Sequence, residues 1–234
     1  KMKALYATDG SIYRELPLAV ALPANEKDIQ ILIAFAGKQK ISLIPRTAGT
    51  SLAGQCVGNG IVVDTSKYLN KIIEINPDEK WAKVQPGVIR DQLNHVLKPL
   101  GLMFGPNTST SNRAMIGGMV GNNSCGSTSI AFGTTRDHAI EIKGFLSDGS
   151  AFHALPLSLE EFQAKIELDN LEGKIYRHLF EKLSNKEMQH EIKKEFPKSS
   201  INRRNTGYAI DVLLDSEPFC KEGDKFNLSK ILCG

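Results

Sequence analysis

Two short apolar runs, "ISLIP" at residues 41–45 and "GIVVD" at 60–64, stand on either side of a stretch rich in small and hydroxylated residues, "RTAGTSLAGQ". Apolar runs of this length, bounded by turn-forming residues, read as buried strands. Ahead of them, Asn25 can cap a helix with Asp28 in its first turn, and Ile29, Leu32, Ile33 and Ala36 recur at helical spacing until Gly37. Residues 1–65 therefore read as a small βαβ unit in which a glycine-rich loop runs from strand to strand. That is a different order from the strand, loop and helix of a dinucleotide-binding turn.

From residue 66 the period changes. "KIIEINPDEKWAKVQPG" holds two extended runs joined at Asn76, Pro77 and Asp78, an antiparallel hairpin. A helix then carries Leu93, Val96, Leu97 and Leu100 on one face and stops at Gly101. A second hairpin, "DHAIEIKGFLSDGSAFHAL", turns at residues 147–150. Ser158 with Glu161 makes a capping box, and Ile175, Leu179 and Leu183 mark a further helix. The fold class is α+β: the small subdomain of residues 1–65, then a larger subdomain of residues 66–234 with an antiparallel sheet and flanking helices.

At 234 residues with a net charge of +3, the chain can bury a substantial core and has no strong charge bias. Basic residues gather only in "EIKKEFPK" and "INRRNTG", too narrow a patch, with too few aromatics, for a nucleic-acid footprint. The apolar runs are far too short to cross a bilayer and no secretory signal opens the chain, so a cytoplasmic location is expected. Cys56, Cys125, Cys220 and Cys233 are scattered, with no CxxC pair and no histidine at ligand spacing. Free thiols are expected, and no metal site.

A phosphate needs several donors converging on one spot, and consecutive backbone N–H groups supply them where side chains do not block approach. In "RTAGTS", Ala48 and Gly49 clear that space, Thr50 and Ser51 add hydroxyls, and Arg46 adds charge. The P-loop lysine and the GxGxxG fingerprint are both missing, and a plain surface turn remains an alternative. A second stretch, "IGGMVGNNSCGS", sets Gly117, Gly118, Gly121 and Gly126 among Asn122, Asn123 and Ser124. Close approach of a ligand to the backbone would explain those glycines, and so would a tightly packed helix with turns at its ends.

Together with "VVDTSKYLNKIIEINPDEKWAKVQPGV" and "NRRNTGYAIDVLL", these loops resemble the FAD-binding PCMH-type domain of the vanillyl-alcohol oxidase flavoproteins. Within that group the chain is most similar to the FAD-linked dehydrogenases of D-lactate, glycolate and D-2-hydroxyglutarate, especially long forms with a C-terminal iron–sulfur region. Several separate motifs fall in the family's order from Leu16 onward. The resemblance implies FAD, with its pyrophosphate at Arg46, Thr47, Ala48, Gly49, Thr50, Ser51, Gly54 and Gln55. It places the flavin and ribityl chain along Pro106, Gly117, Gly118, Asn122, Ser124 and Gly126, with Gly133 in a Phe-Gly where relatives have Tyr-Gly. Thr47 and Ala48 stand where relatives often have glycine, and Met115 replaces a threonine. Some relatives attach FAD through a histidine just after the loop arginine. Here Thr50 and Ser51 fill that neighbourhood and no histidine precedes His95, so the FAD is expected to be non-covalent.

In relatives the Leu-x-x-Gly matched by "ILCG" is followed by Ser-Glu-Gly-Thr-Leu-Gly, another strand, and a cap domain that carries the substrate pocket. The chain is accordingly expected to be a fragment of a longer enzyme and inactive alone, with any iron–sulfur cluster in the remainder. The implied reaction oxidises a small D-2-hydroxy acid, D-lactate-like, to the 2-keto acid. The electron acceptor is left open, and association with a membrane surface is compatible with the pattern. No residue qualifies as the catalytic base: His138 reads as leading into a strand, His153 as lying in a hairpin, and His95, His178 and His190 as helix surface. Asp64 reads as a cap. Two other readings stay open. One is a non-catalytic nucleotide-binding or scaffold module of the same fold. The other is a nicotinamide-dependent FAD reductase of the cell-wall precursor type, against which "STSNRAMIGGMVGNNSCG" speaks.

Overall fold

The computed structural model describes residues 1–198, 200, 201, 204 and 207–234. Asn202, Arg203, Asn205 and Thr206 of the "NRRNTG" motif and of the basic run "INRRNTG" lie outside them.

Three parallel strands form the first sheet. After a short helix α1 (Met2–Leu5) come β1 (Ala19–Ala21), the crossover helix α2 (Glu26–Gln39), β2 (Leu43–Arg46) and β3 (Ile61–Asp64), in the order β1-β3-β2. Val62 pairs with Val20 on one side and Ile44 on the other, and Arg46 lies opposite Asp64 at the C-terminal edge. All four residues of β3 are buried, as a central strand covered on both faces requires. Asn25 caps α2, its side chain accepting the Asp28 N–H at 3.1 Å. The helix runs past Gly37 to Gln39, where Lys40 turns left-handed at φ 54 and its N–H closes on Ala36 and Gly37 carbonyls. An interior glycine only weakens a helix, whereas a left-handed residue ends it.

The antiparallel part consists of two separate hairpins rather than one continuous sheet, each packed into its own core. β4 (Ile72–Asn76) and β5 (Trp81–Val84) pack with α3 (Arg90–Leu97) around Val88, Leu93 and Leu97. A single tight turn, Lys98–Leu100, follows α3 and ends at Gly101, φ 69. Val96 and Leu100 face outward, so the helix buries a narrower stripe than its apolar positions suggest. The chain continues through α4 (Ile116–Gly121), α5 (Ser129–Phe132) and α6 (Thr135–His138) to the second hairpin, β6 (Ile142–Phe145) and β7 (Ala151–Ala154). Then follow α7 (Leu159–Ile166), α8 (Leu171–Ser184), α9 (Lys186–Glu195), α10 (Ile210–Leu214) and α11 (Ser229–Leu232). Ser158 and Glu161 form the expected capping box of α7.

The largest core lies against this second hairpin. Phe162 is fully buried and sits edge-on to Phe226 and Tyr176, at centroid distances of 4.7 and 5.7 Å. The Tyr176 hydroxyl is buried with no hydrogen-bond partner among the described residues, and burial, with the nearby Glu172 charge, pushes its ionisation upward. An orphaned buried hydroxyl is a net cost. Tyr176→Phe is therefore expected to raise stability by about 1 kcal/mol in denaturant unfolding, and a clear loss instead would reveal a partner for the hydroxyl.

Candidate functional site

The small-residue loop leaves the C-terminal edge of the parallel sheet and is held from outside by the first residues of the chain. The Arg46 guanidinium donates to the Thr8 carbonyl at 2.8 Å and stacks on the Tyr6 ring at 5.3 Å from its centroid. Tyr6 in turn donates its hydroxyl to Asp64 Oδ2 at 2.7 Å, and Asp64 Oδ1 accepts the Ser66 N–H at 2.8 Å. Asp64 is thus a cap, as its position implies. Burial and the bond to Asp64 push the Tyr6 phenol up to about 12, which keeps it a donor at neutral pH. Gly10 donates its N–H to the Gly49 carbonyl at 3.0 Å. Gly49 itself needs φ 65, and a Cβ there would drive into the Arg46 guanidinium.

Within the loop, Ser51 donates to Gln55 Oε1 at 2.6 Å and accepts the Ala53 N–H at 3.1 Å, folding its second half on itself. Gly54, at φ 72, packs against Tyr13, and the buried Cys56 thiol donates to Asp9 at 3.5 Å. Burial pushes that thiol upward, so it stays protonated. The backbone N–H groups of Thr47, Ala48, Gly49, Thr50 and Ser51 find no acceptor among the described residues, and all five residues are half-buried. A row of unspent donors at the end of parallel strands suits an anionic ligand.

The second small-residue segment meets this row. Residues 116–121 do form a helix, α4, but one squeezed at its start: Gly117 donates to the Pro86 carbonyl at 2.9 Å and leaves no room for a Cβ against the Pro86 ring. A Cβ on the exposed Gly118 would collide with Thr47 Oγ1. This contact brings the two sequence-predicted loops together. Gly126 packs on the carbonyl of Asn107, next to the fully buried Pro106, whose own carbonyl accepts Arg90 Nε at 3.1 Å. Asn122 is exposed and donates to Ser124 Oγ at 3.2 Å.

Gly133 meets Asp137 rather than either loop. It takes φ 77 immediately before α6, and the Asp137 carboxylate, which caps that helix through Thr134, fills the space beside it. Two depressions of about 340 Å³ have neither Thr47 nor Gly118 in their lining. One is lined by Tyr13, Arg14, Ala53 and Gly54, the other by Gly133, Arg136, Asp137 and Val212. His138 is the last residue of α6 and not the approach to a strand; its ring bonds the Phe132 carbonyl at 2.6 Å and sits edge-on to Phe104. A four-residue helix is too short for a periodic signal, though the spacing of Thr134 and Asp137 as a cap could have marked it. Sequence reasoning also missed Tyr6, Thr8 and Pro86, which shape both loops from distant positions. No group of three or more His, Cys, Asp or Glu side chains suited to a metal occurs among the described residues.

Residues 17–154 match the family model described as an FAD binding domain. D-2-hydroxyglutarate dehydrogenase of Pseudomonas putida is 40% identical over 236 residues, 99% of this chain and 22% of that protein. Mitochondrial D-lactate dehydrogenase (cytochrome) of Kluyveromyces lactis is 35% identical over 138 residues, 57% of this chain and 24% of that protein. Glycolate oxidase subunit GlcD of Bacillus subtilis is 33% identical over 138 residues, 58% of this chain and 29% of that protein. The chain thus spans less than a third of the length of each of these relatives.

The geometry of the loop carries its own test. Gly49→Ala places a side chain at positive φ and displaces the guanidinium that ties the loop to Thr8, so a loss of about 1–2 kcal/mol in urea unfolding is expected. Unchanged stability would mean that the loop is not held in this way.

Proposed function

The chain belongs to the FAD binding domain family, and from that premise we propose that residues 46–55 and 117–126 together hold FAD, without a covalent link, in an oxidoreductase acting on a small D-2-hydroxy acid. The observation that carries this reading is the approach of Gly118 to Thr47 beside five unspent backbone donors. A diphosphate needs such donors and such clearance, so the residues present fit the group. The N–H groups of Thr47, Ala48, Gly49, Thr50 and Ser51 would face the pyrophosphate, with the Thr50 and Ser51 hydroxyls beside them. Arg46 is committed to Thr8 and Tyr6, so its part is to fix the loop and add positive charge rather than to reach outward. Gly117, Gly118, Asn122, Ser124 and Gly126, with Pro106 behind them, would border the flavin end. Gly54 and Gln55 close the loop, and Gly133 is a more distant support.

When bound, FAD would supply an acceptor for a hydride, which carries both electrons of the C–H bond. This chain's residues bind and orient it, and the base that takes the hydroxyl proton of the substrate lies elsewhere in the enzyme. D-lactate and glycolate are substrates that relatives' names suggest, and the relative matching almost the whole chain points equally to a dicarboxylic 2-hydroxy acid. In the same reading residues 1–65 and 66–234 are the two FAD subdomains, and an iron–sulfur cluster belongs to the remainder of the enzyme. The enzyme works in the cytoplasm or at the membrane surface, and no helix among the described residues is long and apolar enough to span a bilayer.

Calorimetric titration with FAD tests the cradle. Gly118→Val is expected to weaken binding by at least about tenfold, and Gly49→Asp, whose side chain would drive into the Arg46 guanidinium and bring a negative charge beside the loop donors, to abolish it. Affinity unchanged in both variants would move the site elsewhere. Flavin is expected to leave the polypeptide on denaturation, and retention would overturn the non-covalent assignment.

A further inference from the structure

Behind the second small-residue segment lies a buried arginine. Arg136 in α6 is 6% exposed and forms no ion pair among the described residues. Its guanidinium goes to main-chain oxygens instead: Nε and Nη2 donate to Cys233 O at 3.2 and 2.8 Å, and Nη2 also reaches Gly207 O at 3.3 Å and Gly234 O at 3.2 Å. In the other direction, the Arg136 backbone N–H donates to Asn123 Oδ1 at 2.9 Å. Asn123 is buried and left-handed at φ 42, a conformation that asparagine tolerates better than most non-glycine residues. Thr135 adds two bonds to the Ser124 carbonyl, from its hydroxyl at 2.6 Å and its N–H at 3.2 Å. Gly234 packs directly on the Gly121 carbonyl, closing the ring.

We infer that Arg136 is a positioning residue for the cofactor segment: it joins residues 233–234 to Asn123 and so fixes the path of residues 121–126 against bound FAD. The inference rests on the FAD reading above. Lysine would keep the charge but cannot span several carbonyls with a planar fork, so charge alone does not do this work. Asn123→Gly probes the same link from the other side, because glycine keeps the left-handed backbone while removing the Oδ1 acceptor.

The test compares the unaltered 234-residue chain with Arg136→Lys and Asn123→Gly. It reads the melting temperature without ligand, FAD affinity by calorimetry, and the visible absorption and circular dichroism of flavin at saturation. Both variants are expected to bind FAD about tenfold more weakly and to show an altered flavin spectrum even when saturated. A purely structural role would lower the melting temperature yet leave the saturated spectrum and affinity as in the parent chain, and that result would overturn the inference. Should Arg136→Lys fail to fold, Asn123→Gly decides alone on the same readouts. Should the parent chain not bind FAD, the same variants are compared in the full-length enzyme, where absence of bound FAD would remove the FAD reading and this inference with it.

Discussion

Thr47 can rest against the start of α4 because residue 118 has no side chain. That contact joins parts of the chain with different origins. Thr47 continues from β2 of the parallel sheet, while α4 is anchored in the first hairpin's core through Ile116. One residue earlier, Gly117 is pressed against Pro86, so α4 is gripped on two sides by successive glycines. A methyl group at Gly117 would force the Pro86 ring and backbone away, because well-packed contacts yield little, and one at Gly118 would displace the Thr47 hydroxyl. The row of loop donors and the second small-residue segment face one space only while both approaches hold.

Much of this architecture was legible in the chain because its signals are local. The fully buried β3, the Asn25 cap, both hairpin turns and the Ser158–Glu161 box depend on residues within a few positions of one another. The two loops stood out because clusters of glycine are costly unless something must come close to the backbone. What stayed hidden is long-range or too short. Nothing near residue 46 announces that Thr8 and Tyr6 will take its guanidinium. Strand β1 is three residues long and α6 four, below the length at which any period can be read. Gly133 also has a local role that its neighbours could have announced, ending α5 at positive φ beside the cap of α6.

The two arginines near the candidate site illustrate different uses of one side chain. Arg46 lies at the surface edge of the sheet, where an aromatic face and a single carbonyl suffice to orient it. Arg136 is enclosed, and burial draws its pKa below the ordinary value, though a guanidinium remains charged. Its hydrogen bonds go to several main-chain carbonyls, while the Asp137 and Asp211 carboxylates act on its charge without bonding it. Such an arrangement ties down several main-chain segments at once, which a pairwise ion bridge does not.

The loop's conformation is therefore not a property of its own eleven residues. Its shape is set by Thr8, Gly10 and Tyr6 from the chain's beginning, by Asp64 from the neighbouring strand, and by Gly118 from a helix beyond the first hairpin. Transplanted into another scaffold, residues 45–55 would carry the composition of a phosphate cradle without its form. What would have to be grafted is the set of three separated segments that hold it, so the motif is portable as a domain and not as a peptide.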